Sequence, residues 1–303
     1  DELSFKAIVD LYSLYEKASG SRLNQSKSKG LWLGSWALRT DSPLPLLWSS
    51  TSLFCLGTHI GPNLPPETNW IARIAKCAKL LDIWQQRNLS LQGKAVVANM
   101  LALSGLWYVA TCVPPNDDIL KKLNAVVFKF IWSGKKELVA RAAMYLPKQE
   151  GGIGVVNTKL KVQSLHSQWI RRFFVSPNHW CFIFDHFCQT FLGDSVVEVL
   201  EHSAFYSFDG LPLYFSSILD SWALVGGRVI NGRASVPALS SSDRVAIANS
   251  TAKHCYSLLL SSEPVTLKCC RKFWAAFGDL YWRNTWKNVH IMPLDRVASD
   301  LSW

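Results

Sequence analysis

From Ala95 to Val113 the chain runs for 19 residues without a charged side chain, and it then meets Pro114-Pro115. Proline lacks an amide hydrogen and pushes the residue before it out of helical geometry, so any helix through this run ends there. The run is long enough to cross a bilayer. Against a membrane span, Asn99, Ser104, Gly105 and Thr111 dilute it, and no aromatic girdle marks both ends. We therefore expect a buried core helix, capped by Ser90, followed by a short apolar turn or strand. With 303 residues, 49% of them apolar, disorder throughout is excluded and one large or two modest domains are expected.

Beyond the prolines, Asn116 or Asp117 is placed to cap a helix, with Asp117 and Asp118 favourable in its first turn. Ile119, Leu123, Val126, Val127 and Phe130 fall on one face of that helix, and Lys121, Lys122 and Lys129 point elsewhere. Upstream, Thr68 or Asn69 is expected to cap a helix whose apolar arc holds Trp70, Ile71, Ile74, Cys77, Ala78, Leu81 and Trp84. Arg73, Lys76 and Lys79 occupy the rest, with no acidic partner four residues away. That pattern favours a helix lying along a phosphate backbone over a salt-bridged solvent face. The net charge of +10 is uneven: residues 1–175 hold 22 Lys+Arg against 11 Asp+Glu, and residues 176–303 hold 10 against 11. A polyanion partner is expected for the first part and none for the second.

Five phrases stand in order: Leu-Ser-Leu-Gln-Gly-Lys at 89–94, Leu-Trp-Tyr at 106–108, Pro-Pro at 114–115, Phe-Ile-Trp-Ser-Gly-Lys-Lys at 130–136, and Leu-Pro-Lys-Gln-Glu-Gly-Gly-Ile-Gly at 146–154. In this order they resemble the thumb and following segment of reverse transcriptases from non-LTR (LINE-type) retrotransposons. Residues 2–19 read as an amphipathic helix with Ile8, Leu11, Leu14, Tyr15 and Ala18 inward, ended by Gly20. A turn and a short strand, Leu31 to Leu33, come next. The phrase Leu23-Asn24 … Lys27-Ser28-Lys29 resembles the segment after the catalytic box of the family's palm. Residues 53–61 resemble its primer-gripping hairpin, with Gly57 and Gly61 in tight turns and His59 read as packing. The resemblance implies that the parent is an RNA-directed DNA polymerase using two magnesium ions held by palm aspartates. Their Tyr-Ala-Asp-Asp box belongs upstream of Asp1, so the chain looks like a fragment. By resemblance, Lys27 falls on a lysine near the incoming nucleotide. Lys94 falls on a basic position at a helix start, where backbone amides favour phosphate.

The remainder is less specific. Residues 158–175 read as a basic, aromatic helix. His179, Cys181, His186 and Cys188 are zinc-ligand types, yet residues two apart on a helix diverge, so an aromatic core helix without stoichiometric zinc is expected. Residues 222–242 read as a strand pair with turns at Gly226-Gly227 and Asn231-Gly232, and Asp243 as the cap of a helix through Leu260. The aromatic segment from Phe273 to Trp303 resembles the family's connector before a Cys/His knuckle; Cys269 and Cys270 are not its ligands. Eight cysteines without a CxxC pair or a signal peptide suggest reduced thiols in a nuclear or cytoplasmic compartment.

The combined expectation is a mainly α fold: a helical thumb and connector with a small β remnant of an α+β palm at the N-terminus. The parts are 1–66 (palm remnant with a primer-grip-like hairpin), 67–136 (thumb), 137–242 (connector) and 243–303 (C-terminal helical segment). The expected role is non-catalytic binding of an RNA/DNA primer–template, with no cofactor, metal or membrane, alongside the parent's missing palm and fingers. Lys27, Arg73, Lys76, Lys79, Lys94, Lys121, Lys122, Lys129, Lys135 and Lys136 are the candidate contacts. A membrane-associated helical protein and a degenerate relic serving as an interaction scaffold are the alternatives.

Overall fold

A computed structural model describes residues 2–262, apart from 42, 45 and 63. The segment from Phe273 to Trp303, with Cys269 and Cys270, lies outside the described residues. The described residues are mainly helical, 59% helix and 9% strand, with small sheets that include some near the N-terminus. It divides into two compact units, 1–69 and 70–303.

In the first unit, α1 (Glu2–Ser19) precedes a parallel pair, β1 (Lys29–Leu31) and β2 (Leu47–Ser49), and an antiparallel hairpin, β3 (Leu53–Cys55) and β4 (Thr58–Ile60). Its centre is aromatic. Trp32 is buried and stacks on Trp48 at 4.1 Å between centroids, and the Arg39 guanidinium lies 5.0 Å from the Trp32 ring. The hairpin turns at Leu56-Gly57, both with positive φ, the handedness that suits two-residue hairpin loops. His59 packs on Phe54 at 4.9 Å. Asn69 does not cap a helix: its amide accepts from His59 N–H at 2.7 Å and donates to His59 O at 3.0 Å, acting as a substitute strand partner. The helix of residues 2–19 forms and ends at Gly20 (φ 70°), but its apolar stripe is not inward. Ile8, Leu11, Leu14 and Tyr15 are exposed. The half-buried face is a different one, carrying Phe5, Val9 and Glu16, with Phe5 near Trp48 and the Glu16 carboxylate accepting from Leu23 N–H.

The second unit starts with α2 (Ile71–Gln85) and α3 (Leu91–Val97), the latter capped by Ser90 Oγ accepting from Gly93 N–H at 3.1 Å. The uncharged run does not become helix then strand. It stays helical from Leu91 to Cys112 through a π-helical segment (Ala98–Leu103), a 3-10 turn (Ser104–Leu106) and α4 (Trp107–Cys112). No breaker stands before Pro114, and the helix ends when Val113 turns extended ahead of it. The π segment gives Asn99 a use: its amide donates to Gly154 O at 2.8 Å and accepts from Val156 N–H at 3.0 Å, pinning the glycine-rich turn. In that turn Gly154 N–H donates to Leu146 O, and Gly151 and Gly154 have positive φ. α5 (Asp117–Ile131) is capped by Asn116, whose Oδ1 accepts from Ile119 N–H at 2.9 Å. Ile119, Leu123, Val127 and Phe130 are buried as expected, and Leu120, Phe128 and Ile131 widen the buried arc.

α6 (Arg141–Tyr145) leads to α7 (Thr158–Val175), α8 (His179–Leu192), α9 (Val196–Glu201) and α10 (Leu213–Leu224). A sheet β5 (Arg228–Ile230), β6 (Arg233–Pro237), β7 (Arg244–Ala246) and α11 (Ala252–Ser262) complete the described fold. The helix expected from Asp243 is instead strand β7 and a 3-10 turn; helix begins at Ala252. Arg244 to Ala246 find open strand positions beside β6, and strand pairing satisfies their backbone where a helix cap was expected. Two buried clusters form, one around α2, α3, α4 and α5, the other around α8, α9, α10 and the sheet. α7 serves both, with Val162 in the first and Leu160 and Ile170 in the second.

α7 also satisfies carbonyls at the end of α4. His166 Nε2 lies 2.7 Å from Ala110 O, and Trp169 Nε1 donates to Thr111 O at 3.1 Å. A carbonyl accepts, so His166 carries its proton on Nε2. Burial holds the imidazole below its ordinary pKa, against the opposing effect of that bond. The unfolded chain therefore takes the proton first as pH falls. This contribution to stability is intact above about pH 6.5 and erodes below it, toward the folded value. Urea midpoints measured from pH 7.5 to 5.0 should fall, and His166→Phe should flatten that part of the curve. An unchanged pH profile in the variant would exclude the assignment.

Candidate nucleic-acid interface

α2 packs against α5, and the outer sides of both carry lysine. Lys76 and Lys79 on α2 are exposed; Arg73 is half-buried and makes further contacts. On α5, Lys122 and Lys129 lie within about 20° of each other around the axis, seven residues apart, and both are exposed. Lys121 is exposed and meets Asp118 at 3.1 Å, a pair that water screens. Lys135 and Lys136 lie just beyond the helix, also exposed. Among the described residues, Lys76, Lys79, Lys122, Lys129, Lys135 and Lys136 form no ion pair within 4.0 Å. A cleft of about 210 Å³ between α2 and α5 is lined by Asp82, Gln85, Lys129 and Ser133. Asp82 stands three residues beyond Lys79 and tempers the charge there.

Two candidates fall elsewhere. Lys27 sits exposed in a turn of the first unit. Lys94 is the correction: it is only 8% exposed. Its ammonium donates to Ile131 O at 3.3 Å and to Ser133 Oγ, and lies 5.8 Å from the Phe130 ring. Its place on α3 brings it under the end of α5, so its ammonium is buried against this chain's own carbonyl and hydroxyl and not presented on the surface.

These contacts gather on Ser133, which is not among the candidate contacts named from the sequence. α5 ends in a left-handed cap in which Gly134 N–H donates to Lys129 O at 2.8 Å and Ser133 N–H to Phe130 O at 3.1 Å. Ser133 itself has φ 53°, unusual for a residue with a side chain. Its hydroxyl receives Lys94 Nζ and Gln85 Nε2, so α2, α3 and α5 meet on one oxygen. The Ser-Gly pair after an aromatic helix end was the available signal.

The His/Cys set separates on α8. Cys181 and Cys188 turn inward, and burial, with a smaller effect from Asp185, pushes the Cys188 thiol up to about 12. His179 and His186 are exposed. No group of three or more His, Cys, Asp or Glu able to hold a metal ion occurs among the described residues.

Fold and surface together define a mainly helical protein with a lysine-rich outer face. No family model matches the chain. It is distantly related to a transposon protein: 28% identical over 238 residues to the uncharacterized 149 kDa protein of transposon TX1 from Xenopus laevis. That similarity takes in 74% of this chain and 18% of the length of the Xenopus protein.

Proposed function

We propose that this chain is the thumb and connector portion of a non-LTR retrotransposon reverse transcriptase, and that it holds RNA/DNA primer–template by its backbone without performing chemistry. The observation that carries the reading is the lysine face of α2 and α5, where Lys76, Lys79, Lys122 and Lys129 form no ion pair among the described residues, with Lys135 and Lys136 beyond the cap. The relation to a transposon protein supports the setting. Phosphate contacts position a protein without reading bases, so sequence preference should be slight. In this reading the carboxylates that would hold two magnesium ions belong to a palm and not to the thumb or connector, so primer extension by the chain alone is not expected.

The test is fluorescence anisotropy on a labelled RNA–DNA hybrid at several salt concentrations. If about five lysines reach phosphates, log K should fall with log salt at a slope near −4.5, at about 0.9 per phosphate on B-DNA. Lys122→Glu, Lys129→Glu, Lys135→Glu and Lys136→Glu together should bring that slope to about −1 with the fold intact. Binding by the quadruple variant at unchanged slope would mean that these lysines are merely solvated.

A second reading, association with a membrane, draws on the 22-residue helix Leu91–Cys112, which is long and apolar enough to cross a bilayer and exposes Val96, Met100, Leu101 and Tyr108. Its other side packs into the core, with Lys94 and Asn99 bonded there. Retention in a carbonate-washed membrane pellet would favour this reading over the first.

A further inference from the structure

The sheet β5–β6–β7 buries one face and leaves the other open. Val229, Ala234 and Val236 go inward. Arg228 is opposite Ser235, Ile230 opposite Arg233, Ser235 opposite Ala246, and Pro237 opposite Arg244. Directly opposed residues share a face, so Arg228, Arg233 and Arg244 rise from the outer side of three adjacent strands. Arg244 is anchored, donating from Nε to Ser235 Oγ at 2.9 Å and from Nη2 to Gly226 O and Ser235 O at 2.8 Å each. Burial and then the charge of Arg228 hold it below its ordinary pKa. None of the three forms an ion pair among the described residues. Two carboxylates lie near: Glu201, which accepts from Gly232 N–H at 3.1 Å and lines the same surface as Arg228, and Asp243, which accepts from the Ser241 hydroxyl at 3.0 Å; neither forms an ion pair with the three arginines among the described residues. Beside β5 runs a groove of about 320 Å³ bordered by Arg228, Ile230, His202 and Phe205. Phe205 is 86% exposed.

We propose that this face binds single-stranded nucleic acid, with Arg228 and Arg233 on phosphates and Phe205 stacking on an unpaired base. It goes beyond the function proposed above, being a different surface in the part of the chain whose charges nearly cancel. Cancellation over 128 residues hides three arginines gathered by strand pairing. Arginine suits the task, because its planar fork meets phosphate oxygens two at a time. An exposed ring beside such charges stacks on any base, and only an unpaired strand offers a free base face.

The experiment uses the full chain and a labelled 12-nucleotide oligouridine RNA. In the Lys122/Lys129/Lys135/Lys136→Glu background, RNA binding should persist. Adding Arg228→Glu and Arg233→Glu should weaken it at least ten-fold and reduce the salt slope by about 1.4, at about 0.7 per phosphate for single strands. Phe205→Ala should weaken it about ten-fold and leave the slope unchanged. Arg228→Ala with Arg233→Ala repeats the test without charge reversal, should circular dichroism show the Glu pair misfolded. RNA binding unaffected by either arginine pair, or no binding once the four lysines are changed, would overturn the proposal. So would equal binding of polyglutamate. Failure of the lysine variants to affect hybrid duplex binding would count against the proposed function and not against this one.

Discussion

Gly152→Ala is expected to destabilise the chain by about 3 kcal/mol, the upper part of the range for an added methyl group without space. A Cβ at this position would stand 2.0 Å from Leu146 O and 2.5 Å from Leu146 C. The obstacle is main chain, and the Leu146 carbonyl cannot swing aside freely because it accepts from Gly154 N–H at 3.0 Å. Asn99 holds the same turn from the π-helical segment, so a shift there would be felt in the first core. Gly105→Ala is the control. It lies in a helical stretch with nothing within 4 Å of the added methyl group, and should gain about 0.5–1 kcal/mol. Urea unfolding of both variants decides the matter; a Gly152→Ala midpoint close to that of the parent would show the turn free to move.

Lys94→Glu should cost about 3–5 kcal/mol, whereas Lys94→Met should cost about 1–2. The first places a carboxylate among groups arranged to accept a cation: the Ile131 carbonyl at the negative end of α5, and the face of Phe130. The second keeps most of the volume, removes the Lys94 donor from the Ile131 carbonyl, and leaves the Ser133 hydroxyl with Gln85 alone. The difference between the two variants separates a structural ammonium from a surface one. An exposed phosphate ligand could be reversed with a stability change within about 0.5 kcal/mol. Equal stability of Lys94→Glu and the parent would restore Lys94 to the interface.

The amphipathic helices around the uncharged run were legible because their cues are local: Ser90 and Asn116 as caps, period-3.6 apolar positions on α5, proline at 114. The Asn231-Gly232 turn was legible for the same reason, whereas the hairpin of residues 53–61 rested on the family resemblance, with Gly57 as its local cue. What escaped depends on partners distant in sequence. Lys94 and Ser133 are 39 residues apart and each looks like a surface residue alone; only the packing of α3 on α5 reveals their bond. Asp243 resembles a helix cap until β6 offers its neighbours a ladder. On α1, the periodicity announced an apolar stripe but not which face would find something to cover. Among the candidate lysines on α2 and α5, exposure follows from position on the helix, and Asp82 tempers the charge beside Lys79.

The position of α7 between two cores bears on how this protein can be cut and recombined. Charge divides the chain near residue 175, and that division invites splitting it there. Yet α10 and α11 both pack on α7, and Asn157 N–H donates to Tyr256 Oη at 3.0 Å across 99 residues. A cut at 175 would open to water the face of α7 that carries Leu160 and Ile170 and deprive the later helices of their wall. Chimaeras that swap the lysine-bearing part for that of a distant relative should therefore carry α7's two faces as a matched set, or join before Trp70, where the chain's own division into compact units falls.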